Sequence, residues 1–217
     1  MEKLTLAKLK AVTGEFVREL SKLTIPKLYG ATDGKAVGTE IEKRFHSFLG
    51  KRFVYSVGSA ASGIDFPELG VDLKSTSIQQ PQSSCPFRDA SQKVYGLGYH
   101  LLVLVYEKTD DPKKRAAKLF IKHAVFVSRE RTADYQTTSG LRKIIENNGN
   151  KDDVDAFLQE RNLPLDEISR RLLAERILRE PPPLGYLTVS NALQWRLQYG
   201  RVVSVANEVS GVEDLHG

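Results

Sequence analysis

Asp65, Asp72 and Lys74 are the residues of this chain whose types and spacing suit chemistry on a phosphate ester. Asp65 precedes the tight segment Phe66-Pro67-Glu68-Leu69-Gly70, in which Pro fixes φ and Gly permits a sharp return, so its carboxylate swings back beside Asp72. Two carboxylates that close repel each other, and a divalent cation removes that cost. In a strand, Val71, Leu73 and Ser75 share one face while Asp72, Lys74 and Thr76 share the other, which predicts an apolar side turned inward and a charged side turned out. The Lys74 ammonium then stands beside the acids, where it can meet phosphoryl charge. An acid two positions before a lysine arises by chance about twice in a chain of this composition, so the weight rests on Asp65, the turn and the alternation. The plain alternative is a β-hairpin edge whose Asp and Lys are merely solvated.

The stretch from Asp65 to Thr76, with six residues between Asp65 and the Asp72-x-Lys74 pair, resembles the PD-(D/E)xK nuclease motif. It is similar to the corresponding stretch of MutH-like mismatch-repair nicking enzymes and of the type II restriction endonucleases related to them. Ile64 stands where the family's usual Pro precedes the first acid. The resemblance implies an α/β fold with a restriction-endonuclease-like core, a mixed central sheet flanked by helices. It also implies Mg²⁺-dependent, sequence-specific hydrolysis of double-stranded DNA. In that scheme Asp65 and Asp72, with the backbone carbonyl of Leu73, hold one or two Mg²⁺ ions, and Lys74 steadies the charge of the transition state. A MutH-like nickase and a non-catalytic DNA-binding module remain the competing readings. Short palindromes are read naturally by twofold homodimers, so a homodimer is the expectation, with a monomer as the alternative found among MutH-like members.

The elements that must position these residues come before and after them. Leu6, Leu9, Val12, Phe16, Leu20 and Leu23 recur at spacings of three and four, which predicts an amphipathic helix over 5–23. Pro26, Gly30, Gly34 and Gly38 break that period, and a second helix is expected from about Thr39 to Leu49. At 100° per residue, Glu42 lies about 75° from the middle of its apolar stripe and Glu40 about 125° away, so Glu42 borders the interior. Gly38-Thr39-Glu40-Ile41-Glu42 also resembles the Gly-x-x-x-Glu that precedes the motif in MutH-like enzymes, where the Glu helps bind metal or orient water. An ordinary surface Glu paired with Lys43 or Arg44 is the alternative.

Phe53 to Val57 reads as a short strand, and the small-residue loop Gly58 to Gly63 is not a P-loop, because it lacks the Gly-Lys-Ser/Thr ending. Residues 79–84 are polar and aperiodic, without regular structure. Arg88 and Lys93 follow, and they are where phosphate contacts are expected if the motif strand faces DNA. Leu101 to Tyr106 is a continuous apolar run, predicting a strand buried on both sides that ends in a turn over 107–112. Leu119 to Val127 is the next strand, with Lys113-Lys114-Arg115 at the hairpin tip.

The last part of the chain changes character. Helical periods over 139–147, 152–161 and 165–179 predict a helical C-terminal subdomain. The division expected is a catalytic core over 1–136 and a mainly helical subdomain over 137–217 that ends in a strand. Arg170, Arg171, Arg176 and Arg179 are expected to pair with interleaved acids. A helix capped by Ser190 and carrying Leu193, Trp195 and Leu197 is expected next, then a strand from Arg201 to Val209.

Composition permits this reading without requiring it. A formal charge of +5 and a length of 217 residues suit one principal domain with a polyanionic partner. With Cys85 as its single cysteine, the chain holds no intrachain disulfide and no cysteine-rich zinc site, which suits a reducing compartment. No window approaches a transmembrane length of apolar residues and the N-terminus does not read as a secretory signal. A prokaryotic cytoplasmic protein with no membrane partner is the expectation.

Overall fold

A computed structural model describes residues 1–58, 63–84, 89–190 and 196–216. Their elements in chain order are β1 (Glu2–Lys3), α1 (Leu6–Lys22), α2 (Gly34–Gly50), β2 (Phe53–Val54), β3 (Val71–Ser77), β4 (Gln82–Ser84), α3 (Gln92–Tyr95), β5 (His100–Asp111), β6 (Ala116–Val127), α4 (Tyr135–Glu146), α5 (Lys151–Glu160), α6 (Glu167–Arg179), β7 (Thr188–Val189), β8 (Arg196–Gln198), α7 (Gly200–Ser204) and β9 (Val212–Asp214). Two compact units emerge. The first comprises Met1–Ser83, His100–Val127 and Val205–Gly217, the second Ser84–Tyr99 and Ser128–Ser204.

The first unit is built on a mixed four-stranded sheet in the order β3-β5-β6-β9, with β3 parallel to β5 and the other pairs antiparallel. The mixed sheet and its flanking helices agree with the α/β core expected from the sequence. Leu101 to Tyr106 of β5 are all buried, as a continuous apolar run requires. The strand nevertheless continues to Asp111 instead of turning at Glu107, because its hairpin partner β6 pairs with it as far as Ala116. A shift in the β5–β6 register at Val105/Tyr106 leaves exposed Lys122 unmatched. The extra residue lets Leu119 and Ile121 join the same core as Ala124 and Phe126, whose parity along the strand is opposite.

That core is closed by α1 and α2. Thr5 caps α1 by accepting a hydrogen bond from the Lys8 N–H at 3.3 Å, and Leu9, Phe16, Val17 and Leu20 form its buried stripe. Asp33 caps α2 through the Lys35 N–H at 2.9 Å. The helix therefore starts at Gly34, five residues before the expected Thr39: a good cap outweighs two internal glycines, each costing about 1 kcal/mol relative to Ala. Phe45 of α2 meets Phe16 of α1 with ring centroids 4.7 Å apart. Each such fully buried side chain contributes about 1.5–3 kcal/mol.

Other expectations need correction. The charged face of β3 is not turned to solvent, because Asp72 is only 3% exposed and Leu101, Val103 and Val105 on neighbouring β5 are buried too. Residues 82–84 form a strand within the polar stretch. The expected helix through Leu197 gives way to a strand at Arg196–Gln198, and its residues 191–195 lie outside the described ones. Arg201 onward begins as α7 rather than a strand. Strand propensity of its valines loses where only Val202 is buried, and the terminal strand forms later, at β9, where β6 supplies a partner edge.

In the second unit α4, α5 and α6 surround Leu141, Val154, Leu158, Leu173, Ala174 and Ile177. The arginines of α6 do pair, but Arg170 and Arg171 reach Asp155 and Asp152 on α5, while Arg176 holds Glu180 at helical spacing. Asp134 is the buried anchor of this unit. Its carboxylate accepts from the Thr137 N–H at 2.8 Å, the Thr137 hydroxyl at 2.6 Å and the Val189 N–H at 2.9 Å. It also supplies the charge that opposes desolvation of Lys93, whose pKa is lowered by burial first. Asp134→Ala leaves buried donors without their acceptor and removes a charge that favours the Lys93 ammonium, so stability should fall by about 3–5 kcal/mol, measured as a lower urea midpoint. A loss below about 1 kcal/mol would show that Asp134 is not the anchor.

Candidate active site

The approach of Asp65 to Asp72 is a consequence of backbone pairing. Phe66 and Val71 form an antiparallel bridge, with Phe66 N–H donating to Val71 O at 2.9 Å and Val71 N–H to Phe66 O at 3.2 Å. Between them Pro67–Leu69 make one 3₁₀ turn, and Gly70 completes the return at φ +60°, a left-handed conformation that favours glycine. In that register the residue before Phe66 stands across from the residue after Val71. Asp65 therefore faces Asp72. Asp65 Oδ2 also accepts the Leu73 N–H at 2.7 Å, which ties its carboxylate to the strand.

Asp72 is buried and its environment is unfavourable for charge. Burial is the largest influence on its carboxyl, Lys74 opposes it and Asp65 adds to it, and the pKa is pushed up to about 7. Lys74 Nζ lies 2.8 Å from Asp72 Oδ2, an ion pair that offsets part of the cost of burying the carboxylate. Two close acids form a donor set suited to a hard divalent ion.

Glu42 completes the group from α2. Although much of its side chain is open to solvent, partial burial of the carboxyl raises its pKa, Asp65 raises it further, and His46 and Lys74 pull it down. The angular ranking on α2 is reversed in the structure: Glu40 is the buried acid and Glu42 the exposed one. Apolar stripes omit ion-pair partners, and Glu40 is covered by Arg44 Nε at 2.8 Å and Lys27 Nζ at 3.4 Å. With Arg44 committed to Glu40, Glu42 is left facing Asp65.

Sequence reasoning missed His46. One ring nitrogen of His46 and one carboxylate oxygen each from Glu42 and Asp65 lie within 4.8 Å of one another. The available signal was the i, i+4 spacing of Glu42 and His46, which puts both on one side of α2. The Leu73 side chain is buried in the core while its backbone belongs to the site. Lys93, on α3 of the second unit, is only 1% exposed, so burial removes it from the phosphate-contacting role expected of it. Arg88 lies outside the described residues.

A mixed sheet that delivers two acids and a lysine from one strand and the turn before it, with a third acid from the preceding helix, is the architecture of a restriction-endonuclease-like enzyme. The family model described as type II restriction enzyme NspV matches residues 3–214. The type II restriction enzyme NspV of Nostoc sp. is 58% identical over 187 residues, which cover 86% of this chain and 85% of that protein. No solved structure matches the chain. The chain belongs to the NspV family of type II restriction enzymes, sequence-specific endonucleases of DNA that are generally metal-dependent. Among the described residues no helix is long and apolar enough to cross a membrane.

The segment holding Asp65 in place tolerates little. Gly58 N–H donates to Asp65 O at 2.9 Å, and a Cβ on Gly58 would stand 1.8 Å from Ile64 O. Gly58→Ala must therefore push the backbone that carries Asp65. It should lower stability by about 1–3 kcal/mol and reduce DNA cleavage, checked by thermal unfolding and plasmid digestion. An unchanged melting temperature together with wild-type digestion would contradict this packing.

Proposed function

We propose that this chain cuts both strands of duplex DNA at a short recognition sequence, with Asp65, Asp72, Lys74 and Glu42 as its active residues and Mg²⁺ as its ion. The observation that supports this most is the Phe66–Val71 bridge, which sets Asp65 against Asp72 with Lys74 Nζ 2.8 Å from the latter. Asp65 and Asp72, with the Leu73 carbonyl, are the residues to hold the ion. Such an ion supplies Lewis-acid stabilisation of phosphoryl charge and makes water a better nucleophile.

The residues divide the remaining work. Lys74 exchanges its contact with Asp72 for the scissile phosphate, where its ammonium meets charge that grows towards the transition state. Glu42, the most solvent-accessible of the acids, holds and orients the attacking water. Burial of Asp72 keeps competing water from its carboxylate, which strengthens every interaction made there. The unit bearing this site does the cutting. A twofold homodimer working in the bacterial cytoplasm suits a palindromic target.

Asp72→Asn and Lys74→Ala test the assignment. Asn is nearly isosteric and neutral at a position where charge is costly, so folding should be retained. Cleavage should drop by at least about 10²–10³-fold in either variant, measured by plasmid linearisation with Mg²⁺ and with chelator. DNA retention in a gel shift should stay near wild type. Full activity of either variant would remove the assignment, and a nicked product in place of a linear one would replace double-strand cleavage with nicking.

A further inference from the structure

His46 is a group the proposed mechanism does not use, and its surroundings prepare one nitrogen to bind a cation. The Tyr55 hydroxyl donates to the His46 backbone carbonyl at 3.2 Å and lies 2.9 Å from His46 Nδ1. A hydroxyl has one proton. With that proton on the carbonyl, both contacts are hydrogen bonds only in the tautomer that carries its hydrogen on Nδ1. The lone pair is then on Nε2. Nε2 is buried and has no hydrogen-bond partner.

A buried acceptor in that state loses hydration without replacement unless something binds it. Tyr55 and Phe66 hold the ring from its sides, with centroids 5.9 and 5.1 Å away, so His46 cannot easily turn Nε2 to solvent. One ring nitrogen of His46 and one carboxylate oxygen each from Glu42 and Asp65 fall within 4.8 Å of one another, and with Nδ1 engaged by Tyr55 the nitrogen left for an ion is Nε2. Asp65 is shared with the buried Asp72, whose Oδ2 is held in an ion pair by Lys74.

We infer that Glu42, His46 Nε2 and Asp65 form a second cation seat, adjoining the Asp65–Asp72 pair, which takes a nitrogen-accepting divalent ion such as Mn²⁺ in preference to Ca²⁺. A site made of oxygen donors alone suits Mg²⁺ and Ca²⁺, whereas imidazole shifts preference towards transition ions. The hydroxyl of Tyr55 acts as the outer partner that fixes tautomer and ring orientation, the role such groups commonly play behind histidine ligands. The inference rests on the nuclease reading for its place in the molecule, but its chemistry is testable without cleavage.

The test is Mn²⁺ binding to the full-length protein, followed by electron paramagnetic resonance, with electron spin-echo modulation to detect nitrogen at the ion. Wild type should show ¹⁴N modulation, and protein labelled with ¹⁵N-histidine should change it. That comparison needs no variant and so does not depend on any variant folding. His46→Ala should abolish the nitrogen signal and weaken Mn²⁺ binding by at least about 10-fold, and Tyr55→Phe should weaken it within the range of about 10–100-fold seen for outer partners. Preference for Mn²⁺ over Ca²⁺ should shrink in both. Absence of histidine nitrogen coordination in wild type, or unchanged Mn²⁺ affinity in folded His46→Ala, overturns the seat even if Mg²⁺-supported cleavage is intact. Conversely, histidine coordination in a protein that cuts no DNA with any cation sustains the seat and refutes the nuclease reading.

Discussion

Two carboxylates held against each other at the start of a buried strand are the constraint on which the rest of this protein turns. Left to themselves Asp65 and Asp72 would separate, since a second negative charge nearby and the loss of water both disfavour ionisation. The backbone prevents separation. The Phe66–Val71 bridge closes the chain on itself, the Leu73 N–H holds Asp65 Oδ2, and the strand carrying Asp72 is locked in parallel register with β5, where Asp72 lies opposite Leu101. Hydrogen bonds of the fold thus sustain an electrostatic arrangement that is unfavourable until a cation compensates it.

The supporting elements explain what stands beside the two acids. Helix α2 brings Glu42 and His46 up to Asp65, and its opposite stripe of Val37, Ile41, Phe45 and Phe48 is sunk in the core formed with α1, β5 and β6. Movement of Glu42 would therefore require unpacking the helix. Glu40 is equally instructive, because it is buried and paired with Arg44 and Lys27 while Glu42 is left facing Asp65. The second unit uses charge differently: Asp134 is held by the Thr137 and Val189 N–H groups, and Asp155 by an ion pair with Arg170. Such pairs specify how helices meet rather than adding much net stability.

Much of this was legible in the chain because the signals are local. The alternation in Val71 to Ser77 and the Pro–Gly turn before it describe a strand entered by a sharp return, and both are present. The three-and-four spacing of apolar residues locates α1, α4, α5 and α6 to within a few residues. Illegible features depend on partners distant in sequence. Glu2–Lys3 is a strand only because Phe53–Val54 is available to pair with it, and Val212–Asp214 only because β6 has a free edge there. His46 offers only its i, i+4 spacing to Glu42 as a local signal; its surroundings are set by Tyr55, nine residues on, and by Asp65 beyond that.

The amino-acid order by itself determined which residues carry charge, where the chain turns, and which side of each helix must leave water. Those are matters of side-chain chemistry, φ restriction and hydrophobic period, all settled within a few residues. Folding in three dimensions decided which charges remain in water. Asp72 is buried although it sits on the polar face of its strand, Glu40 is covered while Glu42 is not, and His46 Nε2 is buried. Solvation depends on what packs alongside a group, and packing is a property of neighbours that the chain brings together only when it folds.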